Sequence, residues 1–103
     1  MRNILMDENA LKDFEYWAKN DKKILKKIAE LFIAISKEPF DGIGKPELLK
    51  GDLTGYWSRR INAEHRIVYA VDDEKIIIIA CRSHYDFQHF PSSPLCNQIY
   101  STK

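Results

Sequence analysis

The sequence predicts an α+β domain in which two N-terminal helices pack on a small twisted antiparallel sheet. Three observations carry this expectation. Apolar residues recur at helical spacing between Leu11 and Ile35, three β-rich runs with short polar connections occupy residues 55–82, and a loop bearing glycine and proline separates the two halves. With 103 residues, 45% of them hydrophobic and 30% charged, the chain suits one domain, because a second would be too small to hold its own core.

Residues 2–6 read as a short first strand, and Asp7-Glu8-Asn9 supplies side-chain oxygens that suit the start of a helix. Leu11, Phe14 and Trp17 then recur at three-residue spacing. After a break at Asn20-Asp21, Ile24, Ile28, Leu31, Phe32 and Ile35 follow at i, i+4, i+7, i+8 and i+11, so each helix of the hairpin carries one apolar stripe. Glu38-Pro39 ends the second helix, since proline donates no backbone hydrogen bond and pushes the residue before it out of helical dihedrals. The stretch 41–47, with Gly42, Gly44, Pro46 and three charged residues, reads as an ordered loop of the kind that carries function.

Residues 55–61, 65–71 and 75–82 read as strands joined through Asn62-Ala63-Glu64 and Asp72-Asp73-Glu74, which makes an antiparallel meander. Ile76-Ile77-Ile78-Ile79 does not alternate with polar residues. That pattern predicts a strand covered on both faces, by the helical hairpin on one side and by the first strand or loop side chains on the other. From Asp86 onward the character changes and Pro91-Ser92-Ser93-Pro94 breaks regular structure, so the domain is taken as residues 1–85 and residues 86–103 as a C-terminal extension of unknown role.

Sixteen Lys and Arg against fifteen Asp and Glu leave a net charge of +1, which excludes a globally basic nucleic-acid binder but permits a local basic cleft. The apolar run 76–81 is far shorter than the roughly 20 residues of a membrane span. Residues 1–6 lack a signal peptide's apolar core, so a soluble cytoplasmic protein without membrane partners is expected. Cys81 and Cys96 have no CxxC spacing, and neither a disulfide framework nor a metal site is anticipated.

Chemistry-bearing residues concentrate between 44 and 85: Lys45, Glu47, Lys50, Arg59, Arg60, Arg66, Arg82, His84 and Tyr85. Cleaving an RNA phosphodiester without metal needs a base for the 2′-hydroxyl, cations for the charge growing on the phosphoryl oxygens, and an acid for the departing 5′-oxygen. A carboxylate, several arginines and a histidine meet that list, but the charged sheet face of any small α+β domain presents the same residue types. Two readings therefore stand for each candidate. Glu47 is a solvated loop acid or a base; Arg66, alternating with Val68 and Ala70, pairs with Glu64 or another carboxylate across the sheet, or serves chemistry. His84 is a surface histidine or shares a working face with Arg82. His65, alternating with Ile67, Tyr69 and Val71, is read as packed or hydrogen-bonded, and Trp17, Tyr56 and Trp57 as packing residues. Lys22, Lys23, Lys26 and Lys27 form a basic stripe on the second helix, a solvated face or a docking aid toward a large RNA assembly.

Four motifs narrow the choice: Gly44-Lys45-Pro46-Glu47-Leu48-Leu49-Lys50, Gly55-Tyr56-Trp57-Ser58-Arg59-Arg60-Ile61, Glu64-His65-Arg66-Ile67-Val68-Tyr69-Ala70-Val71 and Ala80-Cys81-Arg82-Ser83-His84-Tyr85. Together they closely resemble the YoeB/Txe branch of the RelE-like toxins of bacterial toxin–antitoxin systems, over a stretch from about residue 1 to Tyr85. The resemblance implies a cytoplasmic, ribosome-dependent mRNA endonuclease that cuts A-site codons by 2′-hydroxyl attack. It would need neither metal nor other cofactor, and it would inhibit translation. By the same resemblance Glu47 is the general base, Arg66 the transition-state cation, His84 the general acid and Tyr85 an orienting group, while Lys50, Arg59 and Arg60 hold the RNA backbone. It also implies a YefM/Phd-type antitoxin as partner, ribosome and mRNA as targets, operator DNA bound only through the antitoxin complex, and a homodimer. Two departures stand out: family chains commonly end near the His-Tyr pair, and Ser83 replaces a frequent aromatic residue. They keep a second reading in view, a catalytically weak toxin-like subunit that binds an antitoxin and modulates operator binding.

Overall fold

The structure is a computed structural model that describes residues 1–82; His84, Tyr85 and the extension 86–103 lie outside the described residues. In chain order the elements are β1 (Asn3–Met6), α1 (Glu8–Asn20), α2 (Lys22–Lys37), β2 (Glu47–Leu48), a single 3-10 turn (Gly51–Leu53), β3 (Trp57–Arg60), β4 (Arg66–Val71) and β5 (Lys75–Ala80). The five strands form one sheet in the order β1-β5-β4-β3-β2. β3, β4 and β5 make the expected antiparallel meander, and β2 extends it antiparallel to β3. β1 departs from this pattern, pairing parallel to β5 through Asn3↔Lys75 to Met6↔Ile78, so the sheet is mixed. Parallel neighbours need a long crossover, and the helical hairpin and the strands that follow it provide one.

The sharp helical hairpin has a local cause. The Asp21 carboxylate accepts from the amides of Lys23 (3.1 Å) and Ile24 (3.2 Å), capping α2, while its own amide donates to the Trp17 carbonyl (2.9 Å) and closes α1. One residue therefore ends one helix and starts the next. At the start of α1 the Asp7 carboxylate accepts from the Asn9 amide, as the acidic cluster predicts.

Both helices cover one face of the sheet, where Ala10, Trp17, Ile28, Leu31 and Ile35 pack on Ile67, Tyr69, Ile76, Ile78 and Cys81. The other face carries a smaller cluster of Leu53, Tyr56, Val68, Ala70, Ile79 and Ala80, with Leu49 and Ile77 against it. Of the two covers anticipated for the four isoleucines, the loop is the one formed: residues around the 3-10 turn supply the second layer, and β1 lies beside β5 within the sheet. A register shift between Val68 and Tyr69 pairs Val68 with Ala80 and Tyr69 with Ile78, leaving Ile79 as the extra residue of a bulge. The bulge lets the consecutive Ile79 and Ala80 both join the second cluster, which regular alternation forbids.

Candidate functional site

The site grows from the second face, at the end of the sheet where the apolar cluster gives way to charge. Glu47 on β2 stands opposite Ser58 on β3, and Arg60 on β3 stands opposite Arg66 on β4. Directly opposed residues of antiparallel strands project to the same side, and alternate residues of one strand do too, so Glu47, Ser58, Arg60 and Arg66 share a face with Val68. Arg66 Nη1 lies 3.6 Å from Glu47 Oε2 and 3.4 Å from Ser58 Oγ. The pair is open to solvent, with 61% of the Glu47 side chain and 31% of the Arg66 side chain exposed. An ion pair of this exposure stabilises a fold by only about 0–1 kcal/mol, so its atoms remain available to a ligand.

The approach of Glu47 is set by the loop before it. Gly42 (φ 121°), Gly44 (φ 84°) and Lys45 (φ 51°) all take left-handed dihedrals, which turn the chain back along β3. The Arg60 amide then donates to the Gly44 carbonyl (2.6 Å), and the Leu49 amide to the Tyr56 carbonyl (2.8 Å), bracketing β2 on both sides. Lys50 is exposed at the start of the 3-10 turn, and Arg60 is exposed at the end of β3.

Arg59 corrects the sequence reading. Expected to hold an RNA backbone, it is fully buried, and its guanidinium donates to the Tyr69 hydroxyl and to the carbonyls of Glu38, Asp41 and Ile43. Strand alternation separates it from Ser58 and Arg60 and turns it toward the helices, so the phase of the run Trp57-Ser58-Arg59-Arg60 was the available signal. Arg66 pairs with Glu47 rather than Glu64, which instead approaches His65 Nε2 (3.6 Å). His65 packs edge-on against Trp17 with ring centroids 4.7 Å apart, the packing role read from its alternation. Trp17 and Tyr56 are buried and Trp57 packs at a tilt against Phe40, again as packing residues.

A second set of residues holds the end of β5, in a role the sequence reading does not assign: it takes Asn9 as part of a helix-starting cluster and Trp17 as packing. Beyond Met6↔Ile78 that strand has no β1 neighbour, and α1 side chains take over at i, i+4 and i+8. Asn9 Nδ2 donates to the Ile79 carbonyl (3.1 Å), Asp13 Oδ2 accepts from the Cys81 amide (3.0 Å), and Trp17 Nε1 donates to the Cys81 carbonyl (2.8 Å). The Arg82 guanidinium then lies 3.5 Å over the Tyr16 ring. Burial raises the Asp13 carboxyl above its ordinary range, against the lowering effects of the Cys81 amide and the Arg82 charge. Burial, and secondarily Asp13, pushes the Cys81 thiol up to about 12, which leaves it inert as a nucleophile. Among the described residues no cluster of His, Cys, Asp and Glu is placed to hold a metal ion, and no helix is long and apolar enough to cross a membrane.

Two helices on one face of a five-stranded sheet, with a carboxylate and a guanidinium meeting on the other, define a small α+β domain of the RelE-like toxin type. The YoeB dimer from Staphylococcus aureus has this fold, with a TM-score of 0.75 at 53% identity over 82% of this chain and 98% of that one. Residues 6–85 match the model of the YoeB-like toxin of bacterial type II toxin-antitoxin systems, and the chain belongs to that family. The Toxin YoeB of Synechocystis is 55% identical over 82 residues, covering 80% of this chain and 95% of its own length. A heterotetrameric YoeB–YefM toxin–antitoxin complex from Staphylococcus aureus matches with a TM-score of 0.75 and 52% identity, over 82% of this chain and 99% of that one.

Proposed function

We propose that this toxin is a ribosome-dependent mRNA endonuclease that cuts A-site codons by attack of the substrate's own 2′-hydroxyl. The observation that carries the reading is the open Glu47–Arg66 pair, 3.6 Å apart, on the sheet face that the helices leave uncovered. In this mechanism Glu47 takes the 2′-hydroxyl proton as the 2′-oxygen bonds to the adjacent phosphorus, and Arg66 holds the charge that builds on the non-bridging oxygens. The bond from phosphorus to the 5′-oxygen breaks, His84 gives its proton to that oxygen, and the products are a 2′,3′-cyclic phosphate and a 5′-hydroxyl. Tyr85 orients the reacting groups, while Lys50 and Arg60, both exposed, hold the backbone on either side. No step calls for a metal or another cofactor. The YoeB–YefM complex and the YoeB dimer of the Staphylococcus aureus relative support a YefM/Phd-type antitoxin as inhibitor and a homodimer, and the reading extends to operator DNA bound through that antitoxin and a cytoplasmic site of action.

Primer extension on a defined mRNA in a purified translation system tests this, comparing wild type with Glu47→Gln and His84→Ala, with and without ribosomes. Codon-phased cuts that require ribosomes and disappear in both variants are the expected result. A folded protein that binds antitoxin and leaves the mRNA intact would overturn the catalytic reading in favour of a non-catalytic antitoxin-binding subunit.

A further inference from the structure

The interior of the sheet holds a cation that the proposed chemistry does not touch. Arg59 is 0% exposed, and among the described residues no carboxylate forms an ion pair with it. Burying a charge is costly unless hydrogen bonds replace its hydration, and here every arm of the guanidinium is engaged. Nε donates to the Tyr69 hydroxyl (3.2 Å), Nη1 to the Ile43 carbonyl (3.1 Å), and Nη2 to the carbonyls of Asp41 (2.8 Å) and Glu38. The Tyr69 hydroxyl in turn donates a hydrogen bond to the Pro39 carbonyl (2.7 Å). One guanidinium and one phenol thus gather four carbonyls from residues 38–43. A planar fork of donors makes this possible, where a lysine ammonium, a compact point charge, does not span the same set.

The loop so gathered is laid directly against the side chain. A Cβ on Gly42 would sit 3.2 Å from Arg59 Nη1, and one on Gly44 would sit 3.2 Å from Arg59 Cβ, 3.1 Å from the Arg60 carbonyl and 3.0 Å from Leu31 Cδ2. Apolar packing holds part of the loop, through buried Pro39 and the Phe40 ring 5.0 Å from that of Trp57, but Phe40 and Ile43 are themselves about half exposed. The strand that follows, β2, is a short ladder, two exposed residues long, and one of the two backbone bonds that bracket it runs from the Arg60 amide to Gly44 within the loop. Its register opposite Ser58 and Trp57 therefore depends on how the loop arrives.

We infer that Arg59 is the positioning residue for Glu47, holding the loop 38–46 from inside so that Glu47 sits opposite Ser58 and its carboxylate meets Arg66. The inference rests on the reading of Glu47 as general base. It makes the two neighbouring arginines of β3 act in different ways: Arg60 through RNA contact, Arg59 through the geometry of another residue.

The test is Arg59→Lys in the full chain, followed by amide hydrogen exchange and by ribosome-dependent cleavage. Exchange at residues 40–47 is expected to rise at least about tenfold, with α1, β4 and β5 held within about twofold of wild type. The cleavage kcat is expected to fall by about 10- to 100-fold with KM within about twofold, the signature of a misplaced catalytic group rather than lost binding. Adding Arg59→Lys to Glu47→Gln should cost no further activity. Unchanged exchange at 40–47, a raised KM with kcat retained, or an additive loss in the double variant would each overturn the inference. Tyr69→Phe, which removes only the bridging hydroxyl, should show the same pattern at smaller size and serves if Arg59→Lys does not fold. If wild type cleaves no RNA, the endonuclease reading fails, and the exchange data still decide whether Arg59 places the loop.

Discussion

The two faces of the sheet are built from the same strands and do different work. Under the helices, Trp17, Ile28, Leu31 and Ile35 close over Ile67, Tyr69, Ile76 and Ile78, and even the buried cation Arg59 has its donors satisfied by carbonyls and a phenol. On the opposite face a smaller apolar cluster ends, beside buried Ser58, in Glu47, Arg60 and Arg66, whose charges stay in reach of solvent. The difference teaches that stability and candidate chemistry are divided by strand parity. Ser58, Arg59 and Arg60 are consecutive, yet the middle one belongs to the interior and its neighbours to the site.

The division is tested first where the effects are largest. Glu47→Gln or Arg66→Ala should lower ribosome-dependent cleavage by about 10²- to 10⁴-fold, the usual worth of a positioned proton-transfer or charge-stabilising group. The same variants should change unfolding free energy by no more than about 1 kcal/mol, measured by urea titration, because the pair is exposed. A large stability loss would break the comparison. On the helix face the pattern reverses: Ile78→Ala should cost about 2–5 kcal/mol in the same titration, through lost burial and the cavity left behind. Any cleavage defect should then follow the folded fraction alone.

Smaller effects sharpen the picture at the helix ends. Asp21→Ala removes the cap of α2 and should destabilise by about 1 kcal/mol, read from the urea midpoint. The smallest expected effect concerns Asp13, whose carboxyl titrates above 3.8 in the folded protein because of burial. Between its unfolded and folded pKa values the native state binds more protons than the unfolded chain, so this group's contribution to stability falls as pH rises through that window and is flat above it. Relative to Asp13→Asn, wild type should therefore lose stability as pH rises above 3.8, checked by urea unfolding across the acid range. An opposite slope would mean that the Cys81 amide and Arg82 outweigh burial.

Much of this architecture is legible in the residues. The i, i+4, i+7 stripes of α2, the Asn20-Asp21 break and the short polar connections between β3, β4 and β5 each predict the element found. Their cause is local, since side-chain periodicity and capping act over a few residues. Pairing of Arg66 with a carboxylate across the sheet was one of the readings that alternation allowed, and Glu47 proved to be the partner. The parallel pairing of β1 with β5 had no such local signal, because nothing in residues 2–6 distinguishes a parallel edge from an antiparallel one. The same holds for the comb of Asn9, Asp13 and Trp17, whose partners lie some 70 residues away on a strand end that only β1's short length leaves open.

By itself the sequence determined the helical hairpin, the meander and the family, because periodicity, caps and contiguous motifs are properties of neighbouring residues. Tertiary structure alone decided which face each arginine serves and which strand edge each backbone group meets. Those outcomes depend on a two-residue side-chain period read against distant partners: a shift of one position exchanges interior for surface, as Arg59 and Arg60 demonstrate.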